Sequence, residues 1–264
     1  MKYPFRSLTA ALAASVLLIG CTANAPAPAP PTQRATPAVQ TLSMPAPEVQ
    51  AAQSDPMTEK YIDVLEGIYY DYALPDGTRL DPFEETEEYY NEFAIFDIDS
   101  DGEDELLIRY SNTYMAGMFG AVYGYDRASG KLTTQLFEFP AMSFFPNGAV
   151  EVGWSHNQGL AGRFWPCTLY QYDPASDAYL PAACVDAWDR EIFETDFEGN
   201  PFPAEADPDG DNIVYYVYLW GEETSPTPIC QKEFQSWYND FVDCEPALNI
   251  PFQPLTEESI IALS

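Results

Sequence analysis

Carboxylates crowd around a single glycine in Asp97-Ile98-Asp99-Ser100-Asp101-Gly102-Glu103-Asp104-Glu105, a run with apolar residues on both sides. Oxygen ligands at the first, third, fifth and ninth positions of such a loop converge on a hard cation if the backbone turns sharply at the sixth. Gly102 stands there and tolerates dihedrals that side chains resist. Like charges held this close repel one another, and a divalent ion relieves that cost. The residue types and their spacing point to calcium, with Asp97, Asp99, Asp101 and Glu105 as side-chain ligands.

Other chemistry is sparse. Asp207-Pro208-Asp209-Gly210-Asp211-Asn212 has the aspartates but not the spacing that follows them, and reads as a turn. His156, in Trp154-Ser155-His156-Asn157, is the only histidine. A histidine-rich zinc site is therefore excluded, and a histidine-based triad would have to use this residue. No GxSxG elbow, phosphate-cradling glycine loop or HExxH helix occurs. With 42 Asp and Glu, the number of acids says nothing about a glycosidase pair. Trp154, Trp165 and Tyr170 form a candidate sugar platform, with core packing as the alternative use of the same rings.

The elements that must position the loop can be read around it. Asp55 is placed as an N-cap and Pro56 at the first helical position; Tyr61, Leu65, Ile68 and Tyr72 recur at helical spacing, which predicts a helix over 56–73. Glu84, Glu85, Glu87 and Glu88 make an acidic cluster just before Phe93-Ala94-Ile95-Phe96, the strand that enters the loop. Leu106 to Tyr110 leaves it as a second strand. Further strands follow at 121–126, 132–139, 144–145, 149–152, 168–173, 178–180 and 213–220. Pro146-Asn147-Gly148 marks a tight hairpin turn, because Asn-Gly accepts left-handed dihedrals. Tyr123 to Ser129 echoes Tyr170 to Ser176, which suggests a repeated hairpin. Phe234, Trp237, Tyr238 and Phe241 predict a helix over 231–243, with a last turn after Thr256. The expected class is α+β: mainly an antiparallel β meander of repeated hairpins packed by an N-terminal and a C-terminal helix.

Asp97, Asp99, Asp101, Gly102 and Glu105, with an apolar strand before and Leu106-Leu107-Ile108 after, resemble the calcium hairpin of FG-GAP and related repeats. The same pattern is found in surface lipoproteins of Gram-positive bacteria. Position by position, the resemblance implies side-chain ligands at Asp97, Asp99, Asp101 and Glu105 and the carbonyl of Glu103 as a fifth. FG-GAP propellers repeat the loop in several blades, whereas this chain has one complete copy. An EF-hand is disfavoured, since its twelfth position would be Ile108 and both flanks read as strands.

The amino terminus gives an expected address. Lys2 and Arg6 precede an apolar run from Leu8 to Ile19, too short to span a bilayer, and Leu18-Ile19-Gly20-Cys21 follows. This resembles the lipobox of bacterial lipoproteins. The resemblance implies a signal peptide over 1–20, cleavage before Cys21, and lipid on that residue anchoring the chain to the outer face of the cell membrane. Thr22 rather than Asp follows, so the inner-membrane retention signal of two-membrane bacteria is not matched. Residues 21–54, rich in Ala, Pro, Thr and Gln, read as a disordered, semi-stiff tether, and 55–264 as one folded extracellular domain.

Composition limits the partners. The net charge is −31, and loss of Lys2 and Arg6 with the signal brings it to −33. So acidic a surface repels phosphate backbones and anionic headgroups, which excludes nucleic acid and leaves cations, glycans or a basic protein. Four cysteines beyond Cys21 argue for disulfides in an exported chain. If Asp173 pairs with Ala178, an unbroken register sets Cys167 across from Cys184. Cys230 and Cys244, at the two ends of the last long helix, are left undecided. The function expected is a noncatalytic, calcium-stabilised surface lipoprotein acting as a binding module. The alternatives are a carbohydrate-binding accessory protein and a carboxylate-dependent hydrolase.

Overall fold

The structure, a computed structural model, describes residues 55–82, 91–157 and 159–264. The expected signal peptide, Cys21, the tether and the cluster Glu84 to Glu88 lie outside these residues. No helix among the described residues is long and apolar enough to cross a membrane.

Helix α1 (Pro56–Asp71) buries Met57, Tyr61, Val64, Leu65 and Ile68, the three-and-four spacing of one helical face. Its expected N-cap is not made. The Asp55 carboxylate instead receives two nitrogens of Arg127, at 2.9 and 3.2 Å. Strands β1 (Glu92–Phe96), β2 (Glu105–Tyr110), β3 (Phe119–Asp126) and β4 (Lys131–Glu138) follow as an antiparallel meander. Strands β5 (Met142–Phe144), β6 (Ala149–Gly153), β7 (Cys167–Asp173), β8 (Ala178–Asp189) and β9 (Ile213–Leu219) form a second one. Helix α2 (Gln231–Phe241) comes next. Strand β10 (Gln253–Pro254) then returns to pair with β1, and α3 (Glu257–Ile261) ends the chain.

The result is four layers. α1 and α3 pack on the outer face of the first sheet through Tyr61, Leu65, Ile68 and Ile260 against Phe93, Leu106, Ile108 and Tyr110. The two sheets face each other through Ala94, Ile98, Leu107, Val122, Phe144, Val150, Val152 and Tyr179. Phe234, Trp237, Tyr238 and Phe241 of α2 cover the outer face of the second sheet over Leu169, Ala183 and Val185. Strands with a helix on one side and a sheet on the other are apolar on both faces, which is why Leu106-Leu107-Ile108 does not alternate. Each fully buried side chain of this kind contributes about 1.5–3 kcal/mol.

The two sheets share a local plan. In both the β3–β4 and the β7–β8 hairpins, a four-residue turn starts at an aspartate, Asp126 or Asp173. Each turn has its left-handed residue four positions on, Gly130 (φ 67°) or Asp177 (φ 50°). Three pairs back from each turn, after Tyr123–Thr134 and after Tyr170–Pro181, the returning strand carries one extra residue. That residue is Gln135 in β4 and Ala182 in β8. The echo between 123–129 and 170–176 is thus a repeat of turn and bulge together.

The second bulge corrects the cysteine register. Beyond it Cys167 faces Val185 and Cys184 faces Thr168, so successive side chains send the two sulfurs to opposite faces of the sheet. Cys167 packs under α2, whereas Cys184 Sγ lies 3.6 Å from Thr168 Oγ1. Cys167, Cys184, Cys230 and Cys244 are all free thiols here, the last two at opposite ends of α2. At Pro146-Asn147-Gly148 only Gly148 is left-handed (φ 78°). Pro146 holds the turn in the ordinary right-handed form, and the Asn147 amide instead donates to the Phe241 carbonyl at 2.8 Å, stitching the turn to the end of α2.

Candidate metal centre

The loop between β1 and β2 is fixed from three sides. From α1, the Tyr61 hydroxyl donates to the Asp104 carbonyl at 2.7 Å. From the β3–β4 turn, Arg127 pairs with the Glu103 side chain. From the loop itself, Ile98 plugs into the core between the sheets, 1% exposed. Inside the loop, Asp97 accepts the Ser100 N–H on Oδ1 (2.7 Å) and the Gly102 N–H on Oδ2 (3.1 Å). Asp99 and Asp101 each accept the N–H two residues on. Ser100 (φ 64°) and Gly102 (φ 93°) take the left-handed conformation, which folds the chain back on itself.

This brings oxygens of Asp97, Asp99 and Glu105 within 4.8 Å of one another. Calcium binds its oxygens at 2.3–2.6 Å, so ligand atoms up to about 5 Å apart share one ion. Glu105 is 3% exposed and opens β2; its Oε2 accepts the Ile98 N–H at 3.0 Å. Burial, with the neighbouring aspartates adding to it, pushes the Glu105 carboxyl up to about 8. Burial also raises Asp99, against the Tyr172 hydroxyl, which faces it from the second sheet and lowers it. That hydroxyl also donates to Asp177 at 2.9 Å, and Asp99 Oδ2 is enclosed with no hydrogen-bond partner. The Tyr179 hydroxyl, on a side chain 5% exposed, likewise has no partner and lies in the field of Asp99 and Glu105. Three converging carboxylates, one buried and one short of a donor, beside an unpartnered hydroxyl, are a donor set suited to a hard cation.

Of the five residues expected as ligands, Asp97, Asp99 and Glu105 are drawn together. Asp101 is exposed and outside this group, and the Glu103 side chain is turned to Arg127. The second acidic stretch is closer in form than its sequence suggests. Asp207 accepts N–H groups three, four and five residues on, and Gly210 (φ 73°) and Asn212 (φ 65°) repeat the left-handed fourth and sixth positions. Asp207, Asp209 and Asp211 converge as the first group does. At the ninth position, however, Tyr215 stands where the first loop has Glu105, its ring stacked 4.4 Å from Phe234.

The other sequence candidates separate. Tyr170 belongs to the core, 8% exposed, with its hydroxyl donating to Glu138 at 2.5 Å. Trp154 and Trp165 are exposed at 37% and 54%. His156 lies exposed with Nδ1 2.7 Å from Ser155 Oγ, in a cavity of about 370 Å³ that Glu138 also lines. Comparisons with protein-family models, with curated proteins and with solved structures gave no match to this chain.

Proposed function

We propose that Asp97, Asp99 and Glu105 hold a calcium ion that staples the β1–β2 hairpin against the second sheet, in a noncatalytic binding module anchored outside the cell by lipid on Cys21. The observation that carries the ion is Glu105, a carboxylate almost fully buried beside two more, with the hydroxyl of Tyr179 and one oxygen of Asp99 lacking any partner. Buried negative charge is tolerated when it is paired or coordinates a metal. In this reading Asp101 and the Glu103 carbonyl close on the ion from the solvent side. Calcium outside cells is commonly millimolar, so a site with a dissociation constant of about 10⁻⁴–10⁻³ M would be filled there. The export and lipid parts rest on the resemblance of Leu18 to Cys21 to a lipobox.

Titration calorimetry on the full chain tests the ion: heat of binding and a raised melting temperature with calcium are expected, and neither should survive Glu105→Ala. A wild-type chain silent to millimolar calcium would overturn the assignment. For the anchor, labelled palmitate fed to an expressing bacterium should enter the protein and be lost on Cys21→Ala.

A further inference from the structure

The inward face of the second sheet is wider than the first sheet covers. Strand register sets Val152, Thr168, Cys184 and Tyr218 in one row across β6, β7, β8 and β9 on that face. Val152 is buried between the sheets, but Thr168 and Cys184 are only half-buried and Tyr218 is 45% exposed. Two residues beyond Val152, Trp154 lies on the same side and leans toward the row, its indole N–H donating to Thr168 Oγ1 at 3.0 Å. Trp165 holds Trp154 from behind by donating to its carbonyl at 2.7 Å. The next row carries Asp186 opposite Tyr216. A trough results, with a floor of small side chains, Thr168 and Cys184, between the tryptophan that follows β6 and a tyrosine on β9. The backbones at its two ends stand three strand spacings, about 14 Å, apart, and the Trp154 indole reaches in over Thr168. At the Trp154 end the trough deepens into the cavity of about 370 Å³ lined by Glu138, Ser155, His156 and Thr168.

We infer that this trough binds a short, uncharged oligosaccharide, with sugar faces stacked on Trp154 and Tyr218 and sugar hydroxyls paired to Ser155, His156 and Glu138. Ring faces left to water with their indole N–H already spent are held ready for an apolar surface, and polar groups beside them fix its orientation. Pyranose rings present both, in one flat repeating unit. The charge of −31 disfavours acidic glycans. Glu138 is already engaged by Tyr170, which argues against a site built for a cationic peptide.

The inference rests on the binding-module reading and names its ligand class. The full chain, in millimolar calcium, is titrated with cellohexaose, maltohexaose and hexa-N-acetylchitohexaose while tryptophan emission is followed. At least one should bind, Trp154→Ala and Tyr218→Ala should each weaken it at least tenfold, Trp154→Phe should retain most of it, and Phe197→Ala, altering an exposed ring elsewhere, should change nothing. No binding of any of the three, binding indifferent to both alanine variants, or a lysine-rich peptide or second copy of the chain bound at the trough instead would overturn it. Each variant's calcium-dependent melting shift is read in parallel. A lost sugar with an intact shift fails the trough alone; an absent shift with sugar retained fails the ion alone.

Discussion

Gln135 Nε2 donates to Asp177 Oδ1 at 2.6 Å, so the extra residue of the first hairpin's bulge is tied to the turn of the second. Thr133 Oγ1 adds a contact to the same carboxylate at 3.2 Å and Tyr172 another at 2.9 Å. Asp177 occupies the position that Gly130 fills in the sister turn, and tolerates a φ of 50° in exchange for these bonds. Asp177→Gly should therefore destabilise although it removes a left-handed side chain. Relief of the backbone is worth about 1 kcal/mol, whereas stripping the acceptor from the buried Gln135 amide and breaking the Thr133 and Tyr172 contacts costs more, for a net loss of about 2 kcal/mol. Urea unfolding would check the sign: a variant as stable as wild type would mean the cross-sheet bonds contribute nothing.

Glu105 makes stability depend on pH in a direction that calcium should cancel. Its carboxyl, ordinarily near 4.5, is pushed up to about 8 by burial, so the fold binds this proton more tightly than the unfolded chain does. The group's favourable contribution is complete below pH 4.5 and is lost as pH climbs toward 8. Metal-free wild type should thus melt progressively lower between pH 5 and about 8, and Glu105→Gln should flatten that slope. In EDTA at pH 8 the variant should be at least as stable as wild type; in millimolar calcium it should be the weaker of the two. Melting curves showing the same order in both buffers would remove Glu105 from the ion site.

The free thiols give a chemical ruler for the β7–β8 register. Cys167 and Cys230 are buried, Cys184 half-buried and Cys244 exposed, and burial also pushes the Cys167 thiol up, away from the reactive thiolate. An aromatic disulfide reagent should label Cys244 first and Cys184 slowly, and reach Cys167 and Cys230 only on unfolding. Peptide mapping without reduction would contradict the bulge if it recovered Cys167 linked to Cys184.

What could be read in advance follows the reach of local rules. The fold of the acidic loop is legible because a DxDxDG run fixes its own backbone through i+2, i+3 and i+5 bonds that need no distant partner. The same rule, applied strictly at the ninth position, hid the likeness of Asp207 to Asn212, where Tyr215 serves the α2 interface instead. Beyond Leu180, β8 was unreadable because Pro181 breaks the pattern of a central strand; the bulge at Ala182 accommodates it. One extra residue there reversed the face of Cys184, and no local signal distinguishes the two registers. Tyr170 and Tyr218 are alike in composition and periodicity. Only the stacking of the first sheet over β7, and its failure to reach β9, makes one a core residue and the other a rim of the trough.

Two glycines with left-handed backbones should respond differently to the same substitution. Gly162 (φ 56°) runs so close to Asp189 that an added Cβ would lie 2.5 Å from the Asp189 Cβ. Asp189 cannot retreat: it is fully buried, paired with Arg163 at 2.9 Å, and accepts the Glu191 N–H at 3.0 Å. Gly199 (φ 85°) caps an exposed turn where an added Cβ meets nothing within 4 Å. Gly199→Ala should cost only the left-handed penalty, about 1 kcal/mol. Gly162→Ala adds a clash with the fully buried Asp189 carboxylate and should cost at least about 3 kcal/mol, through displacement of Asp189 and loss of its bond to the half-exposed Arg163. Equal losses in urea unfolding would show that the backbone at Gly162 moves freely, and that Asp189 is not the fixed anchor its burial implies.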